Sequence, residues 1–171
     1  MRNRMLIMNP MGSKVALVQK KLLAAHQTYQ IYTYTPNIVG QESTEKDDDE
    51  TPVYRFALVY KKLFSLTKEF YYSLYHGNKE GPDLLLAKVQ ASLAGLTRLQ
   101  MDIKVPGKGQ PIVGTVGKSS IFQLRGNSEW VVEVARGMDV LGMLCLTISA
   151  NAIIEDDRKS SSSSHHHSHH G

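Results

Sequence analysis

Few residues in this chain have types and spacing that could do chemistry. The segment Gly114-Thr115-Val116-Gly117-Lys118-Ser119-Ser120 ends as a phosphate-binding loop does, in Gly-Lys-Ser. Such a loop needs a first glycine five residues before the second, and that position is Ile112. It also needs a following helix whose N–H groups converge on phosphate, whereas Ser120-Ile121-Phe122-Gln123-Leu124 has strand character. Nucleotide binding is therefore rejected. Outside the tail the histidines are His26 and His76, and neither forms a nucleophile signature with a serine or with Cys145. Cys145, between Leu144 and Leu146, is expected to be a small core residue. Metal-ligand spacing is absent. The expectation is a protein with no catalytic residues, no cofactor and no metal, and not an enzyme.

Charge is more informative. Residues 41–50 hold Glu42, Glu45, Asp47, Asp48, Asp49 and Glu50 with Lys46, a local charge of −5. The rest of the chain carries 19 basic and 10 acidic residues, a charge of +9. A basic body attracts anionic surfaces through long-range electrostatics. The pairs Lys20-Lys21 and Lys61-Lys62 are the candidate lipid-headgroup contacts. Neighbours on a strand face opposite sides, so only one lysine of each pair can join a given patch. Lysine also protects strand edges against aggregation, which is the plainer explanation.

The elements that would position these residues are mostly strands. Period-two, β-branched and aromatic runs predict strands at 4–8, 14–22, 28–34, 53–63, 70–75, 84–92, 97–104, 112–122 and 128–135. Turn residues separate them: Asn9-Pro10-Met11-Gly12, His76-Gly77-Asn78, Gly81-Pro82, Pro106-Gly107-Lys108-Gly109 and Arg125-Gly126-Asn127. Many short, evenly spaced strands predict an antiparallel barrel or sandwich. The acidic stretch 36–52 reads as a disordered surface loop.

Residues 140–154 then carry no formal charge, with Asp139 placed as an N-cap and Glu155-Asp156-Asp157 expected to end the helix. About 23 Å long at ~1.5 Å per residue, this run is short of the ~30 Å of a bilayer core. Leu141, Leu144, Ile148 and Ala152 follow one side of it; Met143, Leu146, Ala150 and Ile153 cover another. A helix apolar on all sides is expected to be wholly buried inside a closed sheet. The organisation read from these signals is one domain over residues 1–159, with a central helix at 139–156. The tail 160–171 holds five of the seven histidines, resembles a disordered end or an expression remnant, and stands outside the fold.

The ordered set of features resembles the LURP-one-related proteins of the tubby C-terminal-like superfamily, which also includes the phospholipid scramblases. Carrying the resemblance are Asn9-Pro10-Met11-Gly12-Ser13-Lys14-Val15 through Lys21-Leu22-Leu23, His26 and Tyr29-Gln30-Ile31-Tyr32. Leu63-Phe64-Ser65-Leu66 and Leu74-Tyr75-His76-Gly77-Asn78 follow. Last come Trp130-Val131-Val132-Glu133-Val134, Gly137-Met138-Asp139-Val140, the apolar run and Glu155-Asp156-Asp157. The likeness spans about residues 3–157. It implies a mostly β fold, a twelve-stranded antiparallel tubby-like β-barrel enclosing the C-terminal helix. With about nine strands counted, some three N-terminal strands of that barrel are expected to be missing, so that the first and last strands would leave a seam exposing backbone donors and acceptors and part of the core. It also implies association with phosphoinositides or other membrane lipids. The cysteine cluster and calcium site of scramblases have no counterpart here, so scrambling activity is not carried over.

The leading expectation is thus a non-enzymatic binding or scaffold module that meets anionic phospholipid headgroups through Lys20, Lys21, Lys61 and Lys62. The alternatives are a structural adaptor for a protein partner and a scramblase-like protein. Nucleic acid is not expected as a partner. The N-terminal apolar stretch is four residues long, too short for a signal peptide, which places the protein in the cytoplasm or peripherally at a membrane.

Overall fold

The computed structural model describes residues 4–21, 27–61, 68–90, 100–118 and 130–163. In chain order they form β1 (Arg4–Met8), β2 (Lys14–Lys20), β3 (Thr28–Thr33), β4 (Glu45–Lys46) and β5 (Pro52–Lys61). Then come β6 (Glu69–His76), β7 (Lys79–Val89), β8 (Gln100–Lys104), β9 (Ile112–Lys118), β10 (Trp130–Val134) and α1 (Val140–Ser163). The sheet order is β1-β2-β3-β5-β6-β7-β8-β9-β10, with the two-residue β4 on β5. Every pairing is antiparallel. Apart from β4, each strand lies beside its successor in sequence, so the sheet is one long meander. The predicted strands all occur; their extensions into 22, 62–63, 91–92, 97–99, 119–122 and 128–129 lie outside the described residues.

Alternation builds the core. Because successive side chains point to opposite faces, residues two apart share one. Ala16 and Val18, Tyr29 and Ile31, Ala57 and Val59, Phe70 and Tyr72, Leu85 and Ala87, and Met101 and Ile103 are such pairs. All are buried with Met143, Cys145, Leu146, Ala150 and Ile153 of α1. The meander therefore curls around the helix. Asp139 caps α1 as expected, its Oδ1 accepting from the Leu141 N–H at 3.0 Å. At Gly142 an added Cβ would stand 2.6 Å from the Tyr72 hydroxyl, so the first turn seats against β6 only because that position lacks a side chain.

Five expectations are corrected. The sheet does not close into a barrel: among the described residues β1 pairs only with β2 and β10 only with β9. Gly81-Pro82 does not separate strands but lies within β7. The register against β6 shifts nearby, and a Cβ at Gly81 would come within 2.7 Å of the Leu74 carbonyl oxygen. An irregularity of this kind admits a proline without a ladder hydrogen bond. The real turn is Gly77-Asn78, flanked by the pair His76 and Lys79, with Gly77 at φ 62° as the first residue of a tight hairpin.

The third correction concerns the acidic stretch 36–52, which is folded onto the sheet. Asp47 is buried and accepts from Lys14 Nζ (2.6 Å), the Tyr34 hydroxyl (3.0 Å) and the Asp49 and Thr51 N–H groups (3.0 and 2.9 Å). Lys14 also bonds Asp49 at 2.5 Å, Arg4 pairs with Asp48, and the Tyr32 hydroxyl donates to Glu45 at 2.9 Å. Gln41 Nε2 donates to the Arg55 and Gly77 carbonyls. Beneath this flap Leu17, Tyr32 and Val53 form a second, small core on the outer face. Lys14 holds the Asp47 carboxyl well below the usual carboxylate range, and Asp47 in turn raises the Lys14 ammonium.

Fourth, α1 runs through Glu155-Asp156-Asp157 to Ser163. Lys20 meets Asp156 and Lys61 meets Asp157, both at 2.6 Å, so the charges that oppose a helix C-terminus are neutralised by the wall. Fifth, α1 is not buried on every side. Met143, Cys145, Leu146, Ala150 and Ile153 are fully buried, whereas Leu141, Leu144, Ile148 and Ala152 are only partly so. Among the described residues no helix is long and apolar enough to cross a membrane.

Candidate functional site

The half-exposed side of α1 lies where the sheet stops. Leu144, Thr147, Ile148, Asn151, Ala152 and Glu155 form the floor of a groove of about 300 Å³. Met5 of β1 makes one wall, and Trp130 and Val132 of β10 make the other. Alternation explains the walls, since Met5 and Ile7 face α1 on β1, as do Trp130, Val132 and Val134 on β10. Outward apolar residues flank the groove as well, Leu6 at 43% exposed, Met8 at 53% and Val131 at 50%, beside the charged Arg4, paired with Asp48, and Glu133, which accepts from the Thr115 hydroxyl. The two end strands of the meander thus face one another across an apolar trough. Its one ionisable lining group is Glu155, whose Oε1 accepts from Asn151 Nδ2 at 3.1 Å.

An open seam between the first and last strands is what the expected shortage of barrel strands implies; that one stripe of α1 forms its floor was not foreseen. Leu144, Ile148, Asn151 and Glu155 lie three or four apart, on one stripe of α1. The two polar members mark that stripe as meeting water, a signal set aside when the whole run was taken as apolar.

Of the lysines expected to contact lipid headgroups, Lys20 and Lys61 both reach the C-terminal part of α1. Lys20 is held by Asp156 and Lys61 by Asp157. Lys21 is exposed, and Lys62 lies outside the described residues. Arg4 and Lys14 are likewise covered by the acidic flap. Gly114 and Gly117 sit within β9, whose backbone pairs with β8 and β10, and the segment 119–124 lies outside the described residues. Cys145 is fully buried, and burial pushes its thiol up to about 12, which keeps it protonated at neutral pH. His76 is exposed at the end of β6, while His26 lies outside the described residues. Among the described residues no three His, Cys, Asp or Glu side chains gather as a metal-ligand group. What this arrangement offers chemically is an apolar trough bordered by two strand edges. No family model matches the chain, and no curated protein or solved structure matches it.

Proposed function

We propose that this protein is a non-enzymatic binding module, an adaptor that holds a protein partner in the groove between β1 and β10. The observation that carries the reading is the convergence of two strand edges on one apolar trough. Natural sheets block exposed edges with lysine, proline or bulges. After Arg4, β1 is Met-Leu-Ile-Met, and β10 is Trp-Val-Val-Glu-Val. Apolar surface left open in this way marks an interaction site. The resemblance to LURP-one-related proteins of the tubby-like superfamily agrees with a non-enzymatic module and, through the lipid association it implies, supports the second reading.

A second reading, association with anionic phospholipid headgroups, is favoured by the +9 charge outside residues 41–50. It ranks lower because Lys20 and Lys61 already face carboxylates. Two parallel measurements separate the readings: selection from a displayed random-peptide library, and flotation with phosphatidylserine or phosphoinositide vesicles at rising salt. The adaptor reading expects an enriched peptide family that loses binding to Ile148→Asp. Vesicle binding that weakens with salt, together with a library that yields no peptide sensitive to Ile148→Asp, overturns it in favour of lipid.

A further inference from the structure

We infer that the partner segment is a single extended strand, antiparallel to both β1 and β10, apolar along its length and ending in a basic residue beside Glu155. This rests on the adaptor reading and adds the chemistry of the segment. The direction comes from the topology. Eight successive antiparallel pairings lead from β1 to β10, so the two end strands point the same way. Bringing them together directly would make one parallel seam in an otherwise antiparallel sheet. One strand inserted between them restores the antiparallel pattern on both sides, and its backbone N–H and C=O groups serve both edges. Each edge strand is five residues long, which sets the length of the insert.

The side chains follow from the two faces of the trough. Inward positions of the insert lie over Leu144, Ile148 and Ala152; outward positions lie between Leu6 and Val131. The inward set is apolar and so are Leu6 and Val131 at the middle of the outward face, where Glu133 is the charged exception, so the insert is rich in β-branched residues on both faces, as buried strands are. Polarity fixes its end. Met143 near the start of α1 lies by Gly114 at the start of β9, and Asp156 and Asp157 meet Lys20 and Lys61 at the ends of β2 and β5. As β2, β5 and β9 all run opposite to β10, α1 also runs opposite to β10 and alongside the insert. The C-terminal end of the insert therefore reaches Glu155, a carboxylate without an ion pair among the described residues. A lysine or arginine there is the complementary group.

Trp130 is the only tryptophan and lines the groove, so its emission reports occupancy directly. The probe is the blocked hexapeptide Val-Thr-Ile-Val-Val-Arg, titrated into the whole protein alongside three relatives: an alternately N-methylated form, a Glu-ended form, and an amphipathic helical peptide of matched hydrophobicity. The expected result is saturable blue-shifted emission with the first peptide and a loss of roughly tenfold or more in affinity on N-methylation, which removes edge hydrogen bonds. Glu155→Gln, an exposed and foldable change, should weaken the Arg-ended peptide and not the Glu-ended one. Ala152→Phe, which fills the floor, should weaken all of them. Equal binding of the N-methylated form, or preference for the helical peptide, overturns the strand while leaving the adaptor reading standing. No saturable change with any peptide, from a chain that sediments as a dimer, overturns the partner segment in favour of a second copy.

Discussion

Replacing Leu146 and Leu144 by alanine, one at a time, separates the two faces of α1. The side chains differ by two positions and are chemically identical. Leu146 is fully buried, and Leu144 is half-buried on the groove floor. Leu→Ala removes three carbon groups, each worth about 0.8 kcal/mol of transfer when buried, or about 2.4 kcal/mol. Leu146 is fully enclosed in the main core, so a cavity term adds to this and the total reaches ~3–4 kcal/mol. At Leu144 the space opens into the groove, about half of the transfer term is at stake and no closed void forms, giving ~1 kcal/mol. In a domain of this size each kcal/mol moves Tm by about 2–4 °C. Leu146→Ala should therefore lose about 6–16 °C and Leu144→Ala about 2–4 °C. Urea unfolding followed by far-UV circular dichroism gives the free energies independently of Trp130. Equal losses at the two positions would refute the open face of α1, and with it the groove.

Gly142→Ala is expected to destabilise despite alanine's better helix propensity, because its Cβ would stand 2.6 Å from the Tyr72 hydroxyl. That hydroxyl is buried without a hydrogen-bond partner among the described residues, so Tyr72→Phe should be neutral or stabilising and should relieve Gly142→Ala; a double-mutant cycle without coupling would contradict the contact. The acidic flap should stay docked from about pH 4 to about pH 10. Asp47 is depressed, so its contribution is present above the ordinary carboxyl pKa and lost as pH falls through its lowered value; Lys14 is raised, so its contribution is present below the ordinary ammonium pKa and lost as pH climbs through its higher value. Amide exchange at Asp49 and Thr51, whose N–H groups bond Asp47, tracks both limits, and Asp47→Ala should abolish the protection at neutral pH. Losing Asp156 and Asp157 together should fray the end of α1, costing roughly 1–2 kcal/mol for two partly exposed pairs, read as lower ellipticity at 222 nm.

The strands were legible because burial on one face writes a period of two into the residues, as in Phe70-Tyr71-Tyr72 and Met101-Asp102-Ile103. The acidic flap was not, because its anchors are distant. Asp47 looks like part of a solvated charge run until Lys14, 33 positions away, is brought to it. The end of α1 failed for the same reason: Asp156 and Asp157 oppose a helix terminus locally, and their lysines come from β2 and β5. The groove depends on where the sheet ends, which is a property of closure rather than of any segment. The strand count, short of a closed barrel, pointed to an open seam, and Asn151 and Glu155, interrupting the stripe of Leu144 and Ile148, mark the side of α1 that faces it.

The place of α1 in the chain bears on how the protein is made. The sheet is a meander of neighbours, so its pairings are local and quick to form. Yet the element that fills its concave face, at residues 140–163, is synthesised after all ten strands. On a ribosome adding ~5–20 residues per second, β1 to β10 emerge before α1 is complete. During that interval Tyr29, Ile31, Phe70, Met101 and the other inward residues have no helix to cover them. A nascent chain without α1 thus exposes apolar surface that favours aggregation, and the release of α1 is the step that covers it.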